Sequence, residues 1–453
     1  MTQSVQLDKW SVSDRREPRI RVGVILDEDA MACVRLTLPA AGYSASADNG
    51  STVEIAGEVR ATIEGKEVAL GFADRPAIRG RRWRITPAQE GAAGIQVHDV
   101  PAGRGFHWQK RIDHRLEGTL ELGRSSHGVV LINEVGLESY LAGVITSEMS
   151  EACPLEMLKA QCVVARSWTL AQAERKHVAE GFDMCNDDCC QRYQGLEHVG
   201  PNAAQAVSET RGVALIAGEG IVVDANYSKS CGGISELPEH VWNVHKPGLT
   251  AVVDAPAGSA LERFLPVTDS NLDDFLDGEW LAGTDAYCGP NAAPTEGLTR
   301  YLGRVDESDE YFRWDVSYTR EELEELLRGP GGMTDLAAFV DLRVTRRGKS
   351  GRAIEIEIDY RDRSNAIKQR KVETEYTIRK LLSRKFLFSS AFAVRIERNA
   401  AGEAERVTLR GAGWGHGAGL CQIGALGMAL AGIDCPTILN HYFRDAQLIR
   451  VYD

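Results

Sequence analysis

The chain has 453 residues, enough for two to four domains or for one large core with insertions, and its 43% hydrophobic and 26% charged residues are the balance of an ordinary globular protein. Its net charge of −13 argues against a polyanionic partner, because nucleic-acid binding rests on neutralising phosphates with Lys and Arg, so no nucleic acid is expected and a neutral or locally cationic substrate fits better. Met1 to Arg21 lacks the apolar stretch of a secretory signal peptide and no later run is long enough to cross a bilayer, so the sequence as written reads as cytoplasmic with no membrane span.

Residues 1–18 read as a polar tail. From Arg19 to Gly128, short alternating runs such as Arg21–Leu26, Val53–Ile55 and Leu120–Leu122, separated by Gly, Asp and Asn, predict a β-rich N-terminal region over 19–128. Val129–Glu134 is one more strand, and Leu137–Val144 starts a helical pattern that leads to Glu148. Pro154 suits a first helical turn, and Leu155, Leu158, Cys162, Ala165 and Thr169 recur at helical spacing to about Lys176. A cysteine-rich loop, a short helix at Asn202–Thr210 and a hairpin around Gly218–Gly220 complete a segment 129–254. Residues 255–332, rich in Asp, Glu, Gly and Pro, read as an insertion on the core with one helix at Glu321–Arg328. Over 333–453, alternation returns at Ile354–Ile358, a helix is expected near Ile378–Leu382, strands at Phe392–Ile396 and Arg406–Leu409, and a helix from Gln422 to Ala431 after a glycine-rich stretch. The pattern predicts a mixed α+β protein without an internal repeat.

Four constellations carry chemistry. Glu148, in Thr146-Ser147-Glu148-Met149 just ahead of the Pro154 helix, has Ile145 and Met149 to shield it. Glycosidic cleavage needs a carboxylic acid to protonate the leaving oxygen. If the sugar's own C6 hydroxyl then attacks the anomeric carbon, one Glu can serve as acid and then as base, leaving a 1,6-anhydro end. The alternative is a carboxylate that stabilises a helix N-terminus, the role expected of Glu151 and Glu156. Arg166 lies on the apolar helix and needs a fixed anion, which could be Glu148, a substrate group, or another acid in a structural salt bridge.

His177, Cys185, Cys189 and Cys190 offer one nitrogen and three sulfurs, the donor set of a closed zinc site, although the C-x3-C-C spacing is unusual. A Cys185–Cys190 disulfide or free thiols are the rivals. The scattered cysteines 33, 153, 162, 288, 421 and 435 read as small core residues. In Tyr227-Ser228-Lys229-Ser230-Cys231-Gly232-Gly233 the hydroxyls of Tyr227, Ser228 and Ser230 suit glycan contacts and Lys229 suits an acidic sugar; the bland reading is a connecting turn. Cys231 as a nucleophile with His416 as base is a further option, with nothing in the sequence to bring the two together. Gly411, Gly413, Gly415, Gly417 and Gly419 alternate without matching a nucleotide-binding fingerprint, so the loop is expected to hold Trp414 as a sugar platform and His416 and Gln422 as polar contacts, or to be a packing corner.

The Ser-Glu-Met segment, the Ser-x-Ser-Cys-Gly-Gly turn and the Gly-Trp-Gly-His-Gly loop, in this order, resemble the SpoIID/LytB family of sporulation and cell-wall proteins, over roughly 129–254 and 342–452. The resemblance implies a mixed SpoIID-like catalytic core and a lytic transglycosylase acting on peptidoglycan glycan strands, and its sporulation members imply strands already stripped of stem peptides. It implies that Glu148 is the catalytic acid and that Arg166 is tied to activity. In many such sequences the cysteine-rich loop reads Cys…His-Cys and some members bind zinc there; Cys189 stands here in place of that His. The LytB side of the family implies instead a non-enzymatic amidase enhancer or wall-binding module, with an amidase as partner. A zinc-stabilised glycan-binding protein is a third reading. The resemblance implies the cell envelope, in conflict with the missing signal peptide.

Overall fold

The computed structural model describes residues 16–453 apart from 90, 92, 107–108, 172–175, 219 and 304–307. Most of the expected polar tail and the end of the helix expected to reach Lys176 therefore lie outside the described residues.

The alternating N-terminal runs form β1 (Arg19–Ile25), β2 (Cys33–Ala47), β3 (Thr52–Glu64), β4 (Glu67–Gly71), β5 (Ile78–Gly80), β6 (Arg82–Pro87), β7 (Ile95–Ala102), β8 (Lys110–Leu116), β9 (Thr119–Arg124) and β10 (Val129–Gly136). With β11 (Met184–Cys185) they make one sheet in the order β11-β1-β10-β9-β6-β2-β3-β4-β5, and β7 and β8 branch from β2. In β10 every second residue is fully buried, so Val129, Leu131 and Val135 face the core while their neighbours are partly exposed. β10 is also the strand that feeds the site, because α1 (Leu137–Glu148) follows it directly.

α1 is buried on nearly all sides, as is α2 (Leu155–Ala171). Around α2 pack α3 (Pro201–Glu209) and the sheet of β12 (Val213–Ala217) and β13 (Ile221–Val222). β14 (Tyr227–Ser228) and α4 (Pro238–Trp242) lead into the 255–332 segment, which holds α5 (Leu272–Asp277), β15 (Arg313–Thr319) and α6 (Arg320–Arg328). β16 (Leu336–Arg347), β17 (Ala353–Asp362) and β18 (Ile367–Glu373) form a meander. α7 (Glu375–Leu381) follows, and β19 (Phe392–Arg398) and β20 (Ala404–Ala412) join β15 in a second small sheet. Trp314, Leu326, Leu327, Ile356 and Phe392 build a separate core there.

The chain then returns. β21 (Leu420–Cys421) pairs in parallel with β14, α8 (Gln422–Leu430) and α9 (Cys435–Tyr442) pack on α2, and β22 (Ala446–Arg450) pairs with β12. The two stretches that resemble one family thus share a single core in which Leu158 and Val163 lie with Leu426 and Leu439. The architecture is mixed α and β, dominated by strands, around a curled sheet.

Candidate active site

α1 stops at Glu148 because Met149 turns extended, leaving its N–H to close the last turn on the Ile145 carbonyl at 3.1 Å. The Met149 backbone then bridges Leu302, and Ser150 N donates to the Tyr301 carbonyl at 2.9 Å. Gly303 lies so close to the Ser147 carbonyl that a Cβ there would sit 2.2 Å from the oxygen. The 255–332 segment, expected to be an insertion on the core, crosses the backbone that carries Glu148.

Glu148 is 8% exposed. Its Oε1 accepts the N–H of Arg192 and the hydroxyl of Tyr227, both at 3.0 Å, while Lys229 Nζ donates to the Glu148 carbonyl at 3.0 Å. Tyr227 Oη also lies 3.1 Å from Gln191 Oε1. Burial, with the charge of Glu148 next, pushes the Tyr227 hydroxyl well above its ordinary range, so it stays a donor. Asp188, held by Arg192 Nε at 2.6 Å, is pushed up to about 6 by burial, with the charges of Asp187 and Glu148 adding and Arg192 opposing. Asp188, Gln191 and Arg192 escaped the sequence reading; the signal available was their place just after the cysteines, in a polar run with no periodicity.

The second and third motifs meet through main chain. Ser230 and Trp414 exchange both backbone hydrogen bonds, at 3.1 and 2.8 Å, and β14 aligns Tyr227 with Leu420. The alternating glycines make this contact possible: Gly417 and Gly419 both have φ of +76°, and a Cβ would lie 2.3 Å from the Arg352 guanidinium carbon at Gly417 and 2.0 Å from the Asn226 carbonyl at Gly419. Trp414 is half-buried between Tyr311 and Phe388, with ring centroids at 4.7 and 4.6 Å. His416 packs on Trp242 at 4.8 Å and its Nδ1 accepts the Ala418 N–H; burial, then Arg352, Arg379 and Lys246, push it down to about 3, so the ring is neutral.

Several expected site residues face elsewhere. Arg166 is wholly enclosed and makes a two-pronged pair with Glu138 at 3.0 and 2.6 Å, with further bonds to Tyr452 and the Val213 carbonyl. Glu138 is at the opposite end of α1 from Glu148, roughly 15 Å along the axis, so the anion Arg166 meets is the structural one. Gln422 is 1% exposed and donates to Gln161 on α2 at 3.3 Å. Ser228 and Ser230 are buried, with hydroxyl oxygens that lack partners among the described residues. Cys231 faces Asp254 and Cys288, not His416. Glu151 accepts the N–H groups of Gly200, Asn202 and Ala203 at the start of α3, and Glu156 accepts that of Cys435 at the start of α9. Both are helix-terminus carboxylates as expected, acting on helices other than their own.

His177, Cys185, Cys189 and Cys190 do converge, with ligand atoms within 4.8 Å of one another. His177 Nε2 lies 3.6 Å from Cys189 Sγ, and a tetrahedral zinc separates nitrogen and sulfur ligands by about 3.5 Å. Glu180 faces the other ring nitrogen at 3.1 Å, as a second-layer carboxylate does for a metal-bound imidazole. The Cys189 thiol is pulled down, chiefly by bonds from Cys185 and then Cys190. These residues fit a zinc ion. A cleft of about 460 Å³ bounded by Asp29, Arg104 and Arg111 lies on the N-terminal sheet and shares no residue with the surroundings of Glu148.

Two family models match parts of this chain. The family model for stage II sporulation protein (SpoIID) matches residues 125–216, which include Glu148 and the cysteine-rich loop. A domain of unknown function (DUF8618) matches 237–419, which include Trp414 and His416. An uncharacterized protein of Brachyspira hyodysenteriae is 26% identical over 71% of this chain and 68% of its own. The amidase enhancer of Bacillus subtilis strain 168 is 25% identical over 67% of this chain, and that match spans 39% of the Bacillus protein. The SpoIID match over Glu148 and a relative of this kind support the SpoIID-like family that the three motifs resemble.

Proposed function

We propose that this protein acts on the cell wall, as a lytic transglycosylase that cleaves peptidoglycan glycan strands with Glu148 as its one acid and base. The observation that supports this most is the convergence of Arg192 N–H and Tyr227 Oη on a single oxygen of Glu148. Among the described residues Oε2 has no partner, so the proton for the leaving glycosidic oxygen is carried there. Once Oε2 has given up that proton, the two donors steady the carboxylate. The carboxylate then takes the proton of the sugar's C6 hydroxyl as that oxygen bonds to the anomeric carbon, so no water is consumed and a 1,6-anhydro end results. Trp414 and His416 wall the site on the side of the glycine loop, and Lys229 holds the end of α1 in register with Tyr227.

A zinc ion on His177, Cys185, Cys189 and Cys190 is part of the same reading. Bound there it would cross-link the loop, and Arg192, close after Cys190, keeps its N–H on Glu148 because that loop is fixed. The second reading is an amidase enhancer or wall-binding module, favoured by the enclosure of Glu148, Lys229 and Ser230 and by the name of the Bacillus subtilis relative. Mass analysis of purified glycan strands incubated with the protein tests both. A 1,6-anhydro end supports the transglycosylase, a reducing end indicates a hydrolase, and unchanged strands leave the module.

A further inference from the structure

Outside the loop just described, the side chains of Cys231, Asp254, Cys288 and Cys421 meet in the interior, with one ligand atom from each within 4.8 Å of the others. They come from four separate places: the turn after β14, the segment before the 255–332 insertion, that insertion itself, and the end of β21 just ahead of α8. Each is at most 3% exposed. Burial alone accounts for a lone thiol, since cysteine packs as a small apolar residue. It does not account for the carboxylate. Asp254 is 0% exposed, and among the described residues no Lys or Arg pairs with it; the nearest basic group is His441, whose Nε2 is 3.7 Å from Oδ1. A carboxylate taken out of water without a cation is costly.

We infer that these four residues form a second zinc site, structural and closed. The spacing fits the ion. Zinc bound tetrahedrally with Zn–S near 2.3 Å and Zn–O near 2.0 Å sets sulfur ligands about 3.8 Å apart and sulfur and oxygen about 3.5 Å apart. Cys231 Sγ lies 3.7 Å from Cys288 Sγ and 3.3 Å from Asp254 Oδ2. The outer layer fits as well. Asp254 presents Oδ2 to the sulfurs while Oδ1 accepts the Tyr442 hydroxyl at 2.6 Å, so one oxygen is anchored and the other is left for a metal. Cys421 Sγ accepts the backbone N–H groups of Cys231 and Gly424 at 3.2 and 3.3 Å, the contacts that steady a thiolate. Three sulfurs exclude calcium and magnesium, which take oxygen ligands, and four protein ligands leave no open position for catalysis.

The test is zinc content by elemental mass spectrometry on protein purified and kept reduced, for the wild type, Cys288→Ser, and His177→Ala/Cys189→Ser. The last removes two ligands of the cysteine-rich loop and leaves the buried cluster whole. Cys288→Ser should carry one zinc fewer than the wild type, and His177→Ala/Cys189→Ser should still carry one zinc and, when exchanged into Co2+, show sulfur-to-cobalt absorption. Equal zinc in Cys288→Ser and wild type overturns the inference. Should Cys288→Ser fail to fold, a folded His177→Ala/Cys189→Ser protein that holds no zinc overturns it, as does an intact mass showing a Cys231–Cys288 disulfide in the native protein. None of these outcomes depends on glycan cleavage.

Discussion

The hydroxyl of Tyr227 donates to Oε1 of Glu148 at 3.0 Å, and this one bond joins the motif at the end of α1 to the motif that the glycine loop embraces. A carboxylate that met only its own helix would have no reason to be read with the distant turn; this one takes its orientation from it.

Glu148→Gln should abolish strand cleavage while leaving the fold in place. An amide keeps the shape and can still accept from Tyr227 and Arg192, but it cannot deliver and retrieve a proton, and general acid and base catalysis is worth about 10²–10⁴ in rate. Product analysis by mass together with circular dichroism checks both halves, and wild-type cleavage by the variant would remove the assignment.

Arg166→Ala should be a stability variant. It leaves Glu138 buried without its partner, and breaking such a pair costs about 3–5 kcal/mol. Urea unfolding reads the loss. Turnover per folded molecule should stay near wild type, because Arg166 touches no atom of Glu148.

Glu151→Gln and Glu156→Gln should each cost about 1 kcal/mol and spare turnover, since each removes a charge from the N-terminus of a helix, α3 or α9, and an amide still accepts part of the bonding. Thermal melts of the two variants against wild type are the measurement.

Stability should fall with acid before the carboxylates other than Asp188 titrate. His114 is 0% exposed, neither ring nitrogen has a partner among the described residues, and burial, with Arg104 next, pushes it down to about 3. The unfolded chain binds a proton there near pH 6.5 and the native state refuses it, so this stability is complete above about pH 6.5 and is lost at about 1.4 kcal/mol per pH unit as pH falls toward 3. His416 acts in the same direction. Urea midpoints at pH 7.5, 6.5 and 5.5 should show the slope, and His114→Leu should flatten it; an unchanged slope would mean that His114 titrates in the native state.

What could be read ahead of the structure was whatever local pattern dictates. The alternation of Ile354–Ile358 became β17, Pro154 opened α2, and the Asn202–Thr210 pattern became α3, because a strand or helix with one buried face writes its period into the chain. The shielding of Glu148 was legible for a similar reason, since its apolar neighbours and the proline-led helix lie close in sequence. Partners set by how elements cross were not. Nothing near Arg166 announces Glu138, which reaches it only because α1 packs on α2, and Gln422 turns inward because α8 lies against Gln161. Cys288 and Cys421 looked like isolated core thiols because their convergence on Asp254 is a property of four separated segments.

Because β10 is hydrogen-bonded to β1 on one side and β9 on the other before it runs into α1, the stretch that resembles a family cannot be cut free at residue 129. A fragment starting there would present both edges of β10 to solvent and strip Leu131 and Val135 of their cover, the condition under which strands pair with foreign chains. The N-terminal sheet is thus the mould in which the helix bearing Glu148 is cast, and a search for the smallest working piece of this protein has to begin near Arg19.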